Sequence, residues 1–274
     1  MKPWSAGLLE QVGTRRHLHL FLDFDGTLSP IAPTPDAAFL PDRARAVLER
    51  LVARPHTTVV IVSGRTVETL ARKVPVPGVS YVGNHGMELI VDGEREEDSV
   101  ATQARPAIAR LGAALAQLVG TRPDVVLERK GISLCVHTRL VQDERAREAL
   151  EAEVCAMAAA ETTLESYRGK RIVEIRPRGA RHKGDAILHV LRAAHGEDWD
   201  ADCNALFVGD DVTDEDGFRA LGGRGIGVRV TDGADVESAA GYEAKSVDDA
   251  LGLLEALAGV RGSGKREALE ERGT

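Results

Sequence analysis

The sequence predicts an α/β fold: a three-layer core built on a parallel sheet, with a small α+β unit inserted into it. Three observations predict this. Apolar, β-branched runs alternate with helical segments at both ends of the chain. Several of those runs stop abruptly in clusters of polar residues. Between residues 104 and 178 the rhythm changes to helix, two strands, helix, two strands.

The core elements read as follows. "LHLFLDFD", residues 18–25, is a strand candidate that closes on two aspartates one residue apart. Residues 41–54 read as a helix with Pro at its start. "TTVVIVSG", residues 57–64, is a continuous run of the kind that suits a parallel strand buried on both faces. A short helix at 66–73 and a strand followed by a Gly-rich turn in "VSYVGNHGMEL" come next. After the interruption, residues 181–194 are helical, "NALFVGDD" at 204–211 is a strand ending in two acids, and "TDEDGFRAL", "GIGVRV" and "SVDDALGLLEAL" give helix, strand and helix. Such alternation predicts a parallel sheet with helices on both faces.

Within the insertion, residues 101–119 and 142–160 are Ala-rich helices, each followed by a hairpin-like pair of strands around Lys130-Gly131 and Arg168-Gly169-Lys170. The expected organisation is therefore a core of residues 1–103 and 179–260, an insertion of residues 104–178, and a charged tail at 261–274 expected to fray.

Composition narrows the function classes. Hydrophobic residues make up 43% of 274, which fits a globular chain. The formal charge of −8 argues against nucleic acid, whose phosphates call for clustered Lys and Arg. No apolar run approaches the ~18 residues of a membrane span. The first residues lack the apolar stretch of a signal peptide, so a cytoplasmic, membrane-free monomer is expected. Cys135, Cys155 and Cys203 are far apart, with no CxxC, and are expected to be reduced and structural.

Chemistry concentrates at the strand ends: Asp23 and Asp25; Ser63, Gly64 and Arg65; Asp210, Asp211 and Asp214; and Lys183 at a helix start. Open parallel sheets bind ligands beyond the carboxyl ends of their strands. Carboxylates converging there beside one lysine need a cation, and a hard oxygen set suits Mg²⁺. With Ser and Thr hydroxyls nearby, such a site fits a phosphate. Taken singly, each element has a plainer reading: Ser63-Gly64 as a turn, Lys183 as a solvated lysine, Asp214, Glu215 and Asp216 as helix-start acids. Asp23 and Asp25 lack the further acids of a Ca²⁺ loop.

"DFDGTL", "SGR", "KG" and "GDD..TDED", in that order, resemble the haloacid dehalogenase superfamily, and imply its Rossmann-like core with an inserted cap. The resemblance implies Asp23 as nucleophile and Asp25 as general acid and base, with Lys183 neutralising charge between nucleophile and phosphate. It implies Mg²⁺ held by Asp23, the Asp25 backbone carbonyl and Asp210, with Asp211 and Asp214 one layer further out. Thr27, Ser63 and Gly64 would contact the phosphoryl group, and Gly26 would let the backbone come close to it.

"GNHGMEL", "LERKGISLCVHTR", "VEIRP.G..KG" and "FVGDDVTDEDGF" are similar to the trehalose-6-phosphate phosphatases, over most of residues 17–255. That family implies Glu128, Lys130 and Glu174 as readers of sugar hydroxyls; the plainer reading is a cross-strand charge network. His85 is either a substrate contact or a loop histidine, and Arg139 and Arg178 are weaker candidates. Thr138 stands where the family often has an aromatic. The implied reaction is hydrolysis of trehalose 6-phosphate, with a trehalose-phosphate synthase as functional partner on pathway logic alone. Core and cap are expected to use up the chain, leaving no fused synthase. Other readings are a capped phosphatase for sucrose phosphate or mannosyl phosphoglycerate, a phosphomutase, or a non-catalytic sugar-phosphate sensor.

Overall fold

The computed structural model describes residues 1–120, 122–233 and 236–259; the charged tail lies outside the described residues. In chain order the first elements are β1 (Lys2–Pro3), α1 (Ala6–Val12), β2 (His17–Asp23), α2 (Asp42–Val52), β3 (Thr57–Val62), α3 (Val67–Lys73), β4 (Ser80–Gly83), β5 (Glu88–Val91) and β6 (Glu94–Glu97). Then come α4 (Ser99–Val119), β7 (Val126–Arg129), β8 (Leu134–His137), α5 (Glu144–Ala159), β9 (Leu164–Gly169) and β10 (Ile172–Pro177). The last are α6 (Lys183–His195), β11 (Cys203–Gly209), α7 (Glu215–Leu221), β12 (Ile226–Val230), β13 (Tyr242–Ala244) and α8 (Val247–Gly259).

These elements form two compact units, one of Met1–Arg95 with the described residues from His182 onward, the other of the described residues within Glu96–Arg181. The second unit begins earlier and ends later than the 104–178 span. Asp98 starts it by capping α4 through the Ala101 amide at 2.9 Å. Its two ends are tied by Arg181 donating to Glu96 at 2.7 Å.

In the first unit the sheet runs β1-β13-β12-β11-β2-β3-β4-β5-β6. It is parallel from β1 to β4, and β5 turns back antiparallel to β4. Alternation along the strands feeds two cores. Leu18, Leu20 and Leu22 of β2 pack with Val59, Ile61, Leu206 and Val208 against α1, α2, α3 and α8. Phe21 points the other way, packing with Val60, Val62 and Phe207 against α6 and α7. This is the predicted three-layer core. The first sixteen residues close one side: Leu8 and Val12 of α1 are buried, and β1 extends the sheet beside β13.

The topology also fixes where a ligand can bind. From β2 the chain moves through β3 and β4 toward one edge, while β11, β12 and β13 progress toward the other. The order reverses between β2 and β11, and such a reversal opens a crevice at the carboxyl ends of the strands. Asp23 pairs in register with Val62, and Leu22 with Val208, so Asp23, Ser63 and Asp210 finish their strands at one level.

The second unit is a four-stranded antiparallel sheet in the order β7-β8-β10-β9. Leu134, Val136, Val173 and Ile175 on one face pack against Ile108, Leu111, Leu115, Leu150 and Val154 of α4 and α5. Register places Glu128, Cys135, Glu174 and Tyr167 in a row on the opposite face. Asp143 caps α5, accepting from the Arg145 and Ala146 amides. No helix among the described residues is long and apolar enough to cross a membrane.

Leu48 of α2 is fully buried in the larger core. Leu48→Ala removes its methyl groups without removing the cavity they filled, so unfolding free energy should fall by about 2–5 kcal/mol in urea titration.

Candidate active site

β2 ends at Asp23, two residues sooner than its sequence suggests. The chain turns there because the amides of Leu28 and Ser29 both bond back to the Phe24 carbonyl, at 3.0 and 2.9 Å. Gly26 makes the turn at φ +84°, and a Cβ at that position would lie 2.2 Å from an Asp210 carboxylate oxygen. Close approach is therefore needed here by Asp210 itself. Asp23 and Asp25 consequently meet different cations.

Asp23 is 5% exposed, and its Oδ1 accepts from Lys183 Nζ at 2.7 Å. The same ammonium donates to Asp214 Oδ1 at 2.6 Å. Burial alone would lower the Lys183 pKa, but Asp214 and Asp23 outweigh it and hold the amine charged. Burial pushes the Asp23 carboxyl well above the usual carboxylate range, opposed by Lys183 and reinforced by Asp214 and Asp210. Asp210 is pushed up to about 7, first by burial and then by Asp214 and Asp211. Its Oδ1 is buried without a hydrogen-bond partner.

Ligand oxygens of Asp23, Asp210 and Asp214 lie within 4.8 Å of one another. Three carboxylates against one ammonium leave net negative charge in a low-dielectric site, and one oxygen is left unbonded. That donor set fits a hard divalent cation.

Asp211 and Asp214, both expected one layer out, separate in the structure. Asp214 is fully buried within the carboxylate group. Asp211 is exposed, and the two cap one short turn reciprocally, the Asp211 amide donating to Asp214 Oδ2 at 2.9 Å. Glu215 is not a helix-start acid facing solvent. It accepts from the Ala239 amide at 2.8 Å, the Ser238 hydroxyl at 2.6 Å and the Arg229 guanidinium. Arg229 in turn donates to the Asp210 carbonyl at 2.9 Å, so this buried pair braces the Asp210 backbone.

Asp25 sits in a bidentate fork of Arg65, Nε to Oδ2 at 2.7 Å and Nη2 to Oδ1 at 2.8 Å. Arg65 had no assigned role in the sequence; only its place after Ser63 and Gly64 pointed to it. Thr27 is fully buried and its hydroxyl has no hydrogen-bond partner. The Ser63 hydroxyl, also buried, accepts from the Arg65 amide at 3.3 Å. The His85 amide donates to the Ser63 carbonyl at 3.0 Å, and the His85 ring lies against Gly64. The "SGR" and "GNHG" segments are thus one joined rim.

In the other unit, Glu128, Lys130 and Glu174 form a network. Lys130 Nζ lies 4.0 Å from Glu128 and 3.8 Å from Glu174, across Cys135 in the intervening strand. Burial opposes charge on Lys130, but Cys135, Glu174 and Glu128 raise its pKa. Burial pushes the Cys135 thiol up to about 12, Lys130 offsetting only part of it. His137 meets Glu128 at 2.9 Å and Arg176 meets Glu174; neither was singled out in the sequence. Alternation along β8 and β10 carries the signal that would have found them. Thr138, at the position where the family often has an aromatic, is fully buried and donates to Glu151 at 2.7 Å. Arg178 donates to the Thr162 and Leu164 carbonyls, which is a structural role, and the exposed Arg139 offers its carbonyl to Arg171.

Lys183→Met strips the ammonium from two buried carboxylates, so unfolding free energy should fall by about 3–5 kcal/mol. Combining it with Asp214→Asn should recover part of that loss. Urea titration of the two singles and the double measures the coupling, and strict additivity would show that the pair does not interact.

The trehalose-phosphatase family profile matches residues 21–248. The trehalose-phosphate phosphatase of Mycobacterium bovis (strain BCG / Pasteur 1173P2) is 36% identical over 225 residues, covering 81% of this chain and 56% of that protein. This chain therefore spans about half the length of the curated relatives it matches. The structure of Aspergillus fumigatus trehalose-6-phosphate phosphatase superposes with a TM-score of 0.67 at 26% identity, over 94% of this chain and 99% of the other. A haloacid dehalogenase-like hydrolase from Bacteroides thetaiotaomicron shares the fold at 18% identity, with a TM-score of 0.61 over 88% of this chain and 98% of the other.

Proposed function

The chain belongs to the trehalose-phosphatase family, and from that premise we propose that it hydrolyses trehalose 6-phosphate to trehalose and phosphate. The observation that carries the reading is the buried Asp23–Lys183–Asp214 group beside Asp210, at the point where the sheet order reverses. A phosphoryl group brings negative charge to a site that already holds three carboxylates. The reaction therefore needs a cation and the Lys183 ammonium together.

The Asp23 and Asp210 carboxylates and the Asp25 backbone carbonyl would hold Mg²⁺, with Asp214 in the same carboxylate group. When bound, Mg²⁺ supplies the positive charge that lets phosphoryl oxygens approach these acids.

Asp23 attacks phosphorus through its carboxylate oxygen, and the ester bond to the sugar oxygen breaks. Asp25 delivers a proton to that departing oxygen. A water then attacks the aspartyl-phosphate as Asp25 takes a proton from that water, and the bond from phosphorus to the Asp23 oxygen breaks, freeing phosphate and Asp23. Lys183 keeps Asp23 oriented and balances the charge that collects around phosphorus. The Thr27 and Ser63 hydroxyls donate to phosphoryl oxygens; the Thr27 hydroxyl is buried with no competing partner. Asp25 cannot carry a proton to the sugar and keep both bonds from Arg65, because a protonated carboxyl has only one free acceptor oxygen. Proton delivery therefore opens the Arg65 fork.

Sugar selection rests on Glu128, Lys130 and Glu174. A disaccharide is uncharged and rich in hydroxyls, and charged donors and acceptors bond hydroxyls strongly and directionally.

Two measurements test this. Phosphate release from a panel of sugar phosphates should favour trehalose 6-phosphate over glucose 6-phosphate, sucrose phosphate and mannosyl phosphoglycerate; no preference over glucose 6-phosphate overturns the substrate assignment. Asp23→Asn should cut turnover by about a thousandfold or more while substrate still binds.

Lys130→Met separates selection from chemistry. It should lower kcat/KM for trehalose 6-phosphate by about ten- to a hundredfold, the weight of a hydrogen bond to a charged group. Turnover of p-nitrophenyl phosphate, which has no sugar to read, should stay unchanged.

A further inference from the structure

At the opposite end of β2 from Asp23 lies a second cluster of ligating side chains. His19 on β2, Cys203 at the start of β11 and His195 at the end of α6 place one ligand atom each within 4.8 Å of one another. None of the three takes part in the chemistry above. We propose that they form a binding site for a single divalent zinc-class metal ion, which pins the amino-terminal ends of β2 and β11 to α6.

Donor chemistry points to this ion. Two imidazoles and a thiol are borderline-to-soft ligands, the set Zn²⁺ prefers and Mg²⁺ avoids. The spacing suits a shared ion as well. The Nε2 atoms of His19 and His195 are 3.0 Å apart. Two nitrogens bound tetrahedrally to one Zn²⁺ at about 2.0–2.1 Å would stand about 3.3 Å apart. His19 is 5% exposed, and its Nδ1 is buried with no hydrogen-bond partner. The ligating nitrogen is Nε2, the atom that faces His195, and Nδ1 would then carry the ring proton.

The surroundings support both entry and orientation. His195 is half-buried and packs against His17, ring centroids 4.9 Å apart, and His17 packs against the exposed His56 at 5.0 Å. An ion can enter along this side while Cys203 and His19 form the buried floor. His17 Nε2 lies 3.3 Å from an Asp202 carboxylate oxygen, so a carboxylate stands beside the entrance. With three protein ligands, water completes the fourth position. On binding, the Cys203 thiol proton leaves to solvent and the thiolate joins the ion.

The ion would act on the scaffold and not on the phosphate. β2 and β11 are adjacent, paired from Cys203–His17 to Val208–Leu22, and their far ends carry Asp23 and Asp210. A crosslink at the near ends holds in place the two strands that flank the proposed catalytic crevice.

The test is Zn²⁺ titration of the full chain against a chromophoric chelator, with Co²⁺ substitution as the spectroscopic readout. Wild type should bind one Zn²⁺ per chain, and Co²⁺ should show a thiolate charge-transfer band. Cys203→Ser should abolish that band. His195→Ala, at a half-exposed helix end, should weaken Zn²⁺ by about tenfold or more and remove the Zn²⁺-dependent rise in Tm. Asp210→Asn should leave all of these unchanged, since it removes a carboxylate of the other site. If wild type takes up no stoichiometric Zn²⁺, or if Asp210→Asn weakens it while His195→Ala does not, the proposal falls. Should Cys203→Ser fail to fold, His195→Ala decides alone.

Discussion

The buried ammonium of Lys183 is the constraint on which the core depends. A charge 3% exposed is tolerated only if paired and hydrogen-bonded, and it is paired twice, with Asp23 and Asp214. Those two acids come from strand β2 and from the turn after β11, so the lysine ties the two strands that flank the crevice. Its own position is set by α6, whose start is capped reciprocally by His182 and Asp185. The glycine that follows serves the same placement. A Cβ on Gly184 would lie 2.4 Å from the Asp216 carbonyl, so only glycine lets α6 sit this close to α7. The Lys-Gly pair is one device, in which the first residue supplies charge and the second supplies proximity.

Stability and readiness to bind conflict at this site. Lys183 neutralises about one of the three negative charges gathered there, and the remainder is destabilising in the folded protein. Burial raises the Asp23 and Asp210 carboxyls first, and the neighbouring carboxylates add to that rise against Lys183. Removing the acids would relieve it, at the cost of the charge that attracts a cation. The Arg229–Glu215 pair then matters because it holds the Asp210 backbone in place without neutralising its carboxylate. The small sheet shows the same conflict. Lys130 and Glu174 have side chains only 9% and 11% exposed, and an apolar face would hold the strands together at less cost. Such a network argues for recognition more than for stability.

Much of this was legible in the sequence, for identifiable reasons. β-branched runs ending in acids locate parallel strands and their active ends together. The convergence of Asp23, Asp210 and Lys183 therefore follows from topology before any side chain is placed. What was not legible depends on side-chain partners. In "GDDVTDED" the acids look alike, yet Asp214 turns inward to Lys183, Asp211 caps a turn in solvent, and Glu215 holds Arg229. No period separates them, because a short turn and a helix start share the run. Arg65 was invisible because its partner, Asp25, lies forty residues earlier. The first sixteen residues carry two buried side chains in one short helix and a two-residue strand, too little for a pattern. The three residues of β13 are equally mute.

The division between the two units follows from the same physics. The core places its charges at strand ends, where backbone geometry holds them rigidly. The small sheet places its charges in mid-strand on one face, in register across β7, β8 and β10, with Cys135 between Glu128 and Glu174. There the spacing between side chains is set by strand separation, about 4.8 Å from strand to strand. The two charge groups are therefore built differently, one by strand ends gathered around a buried lysine and the other by register across neighbouring strands.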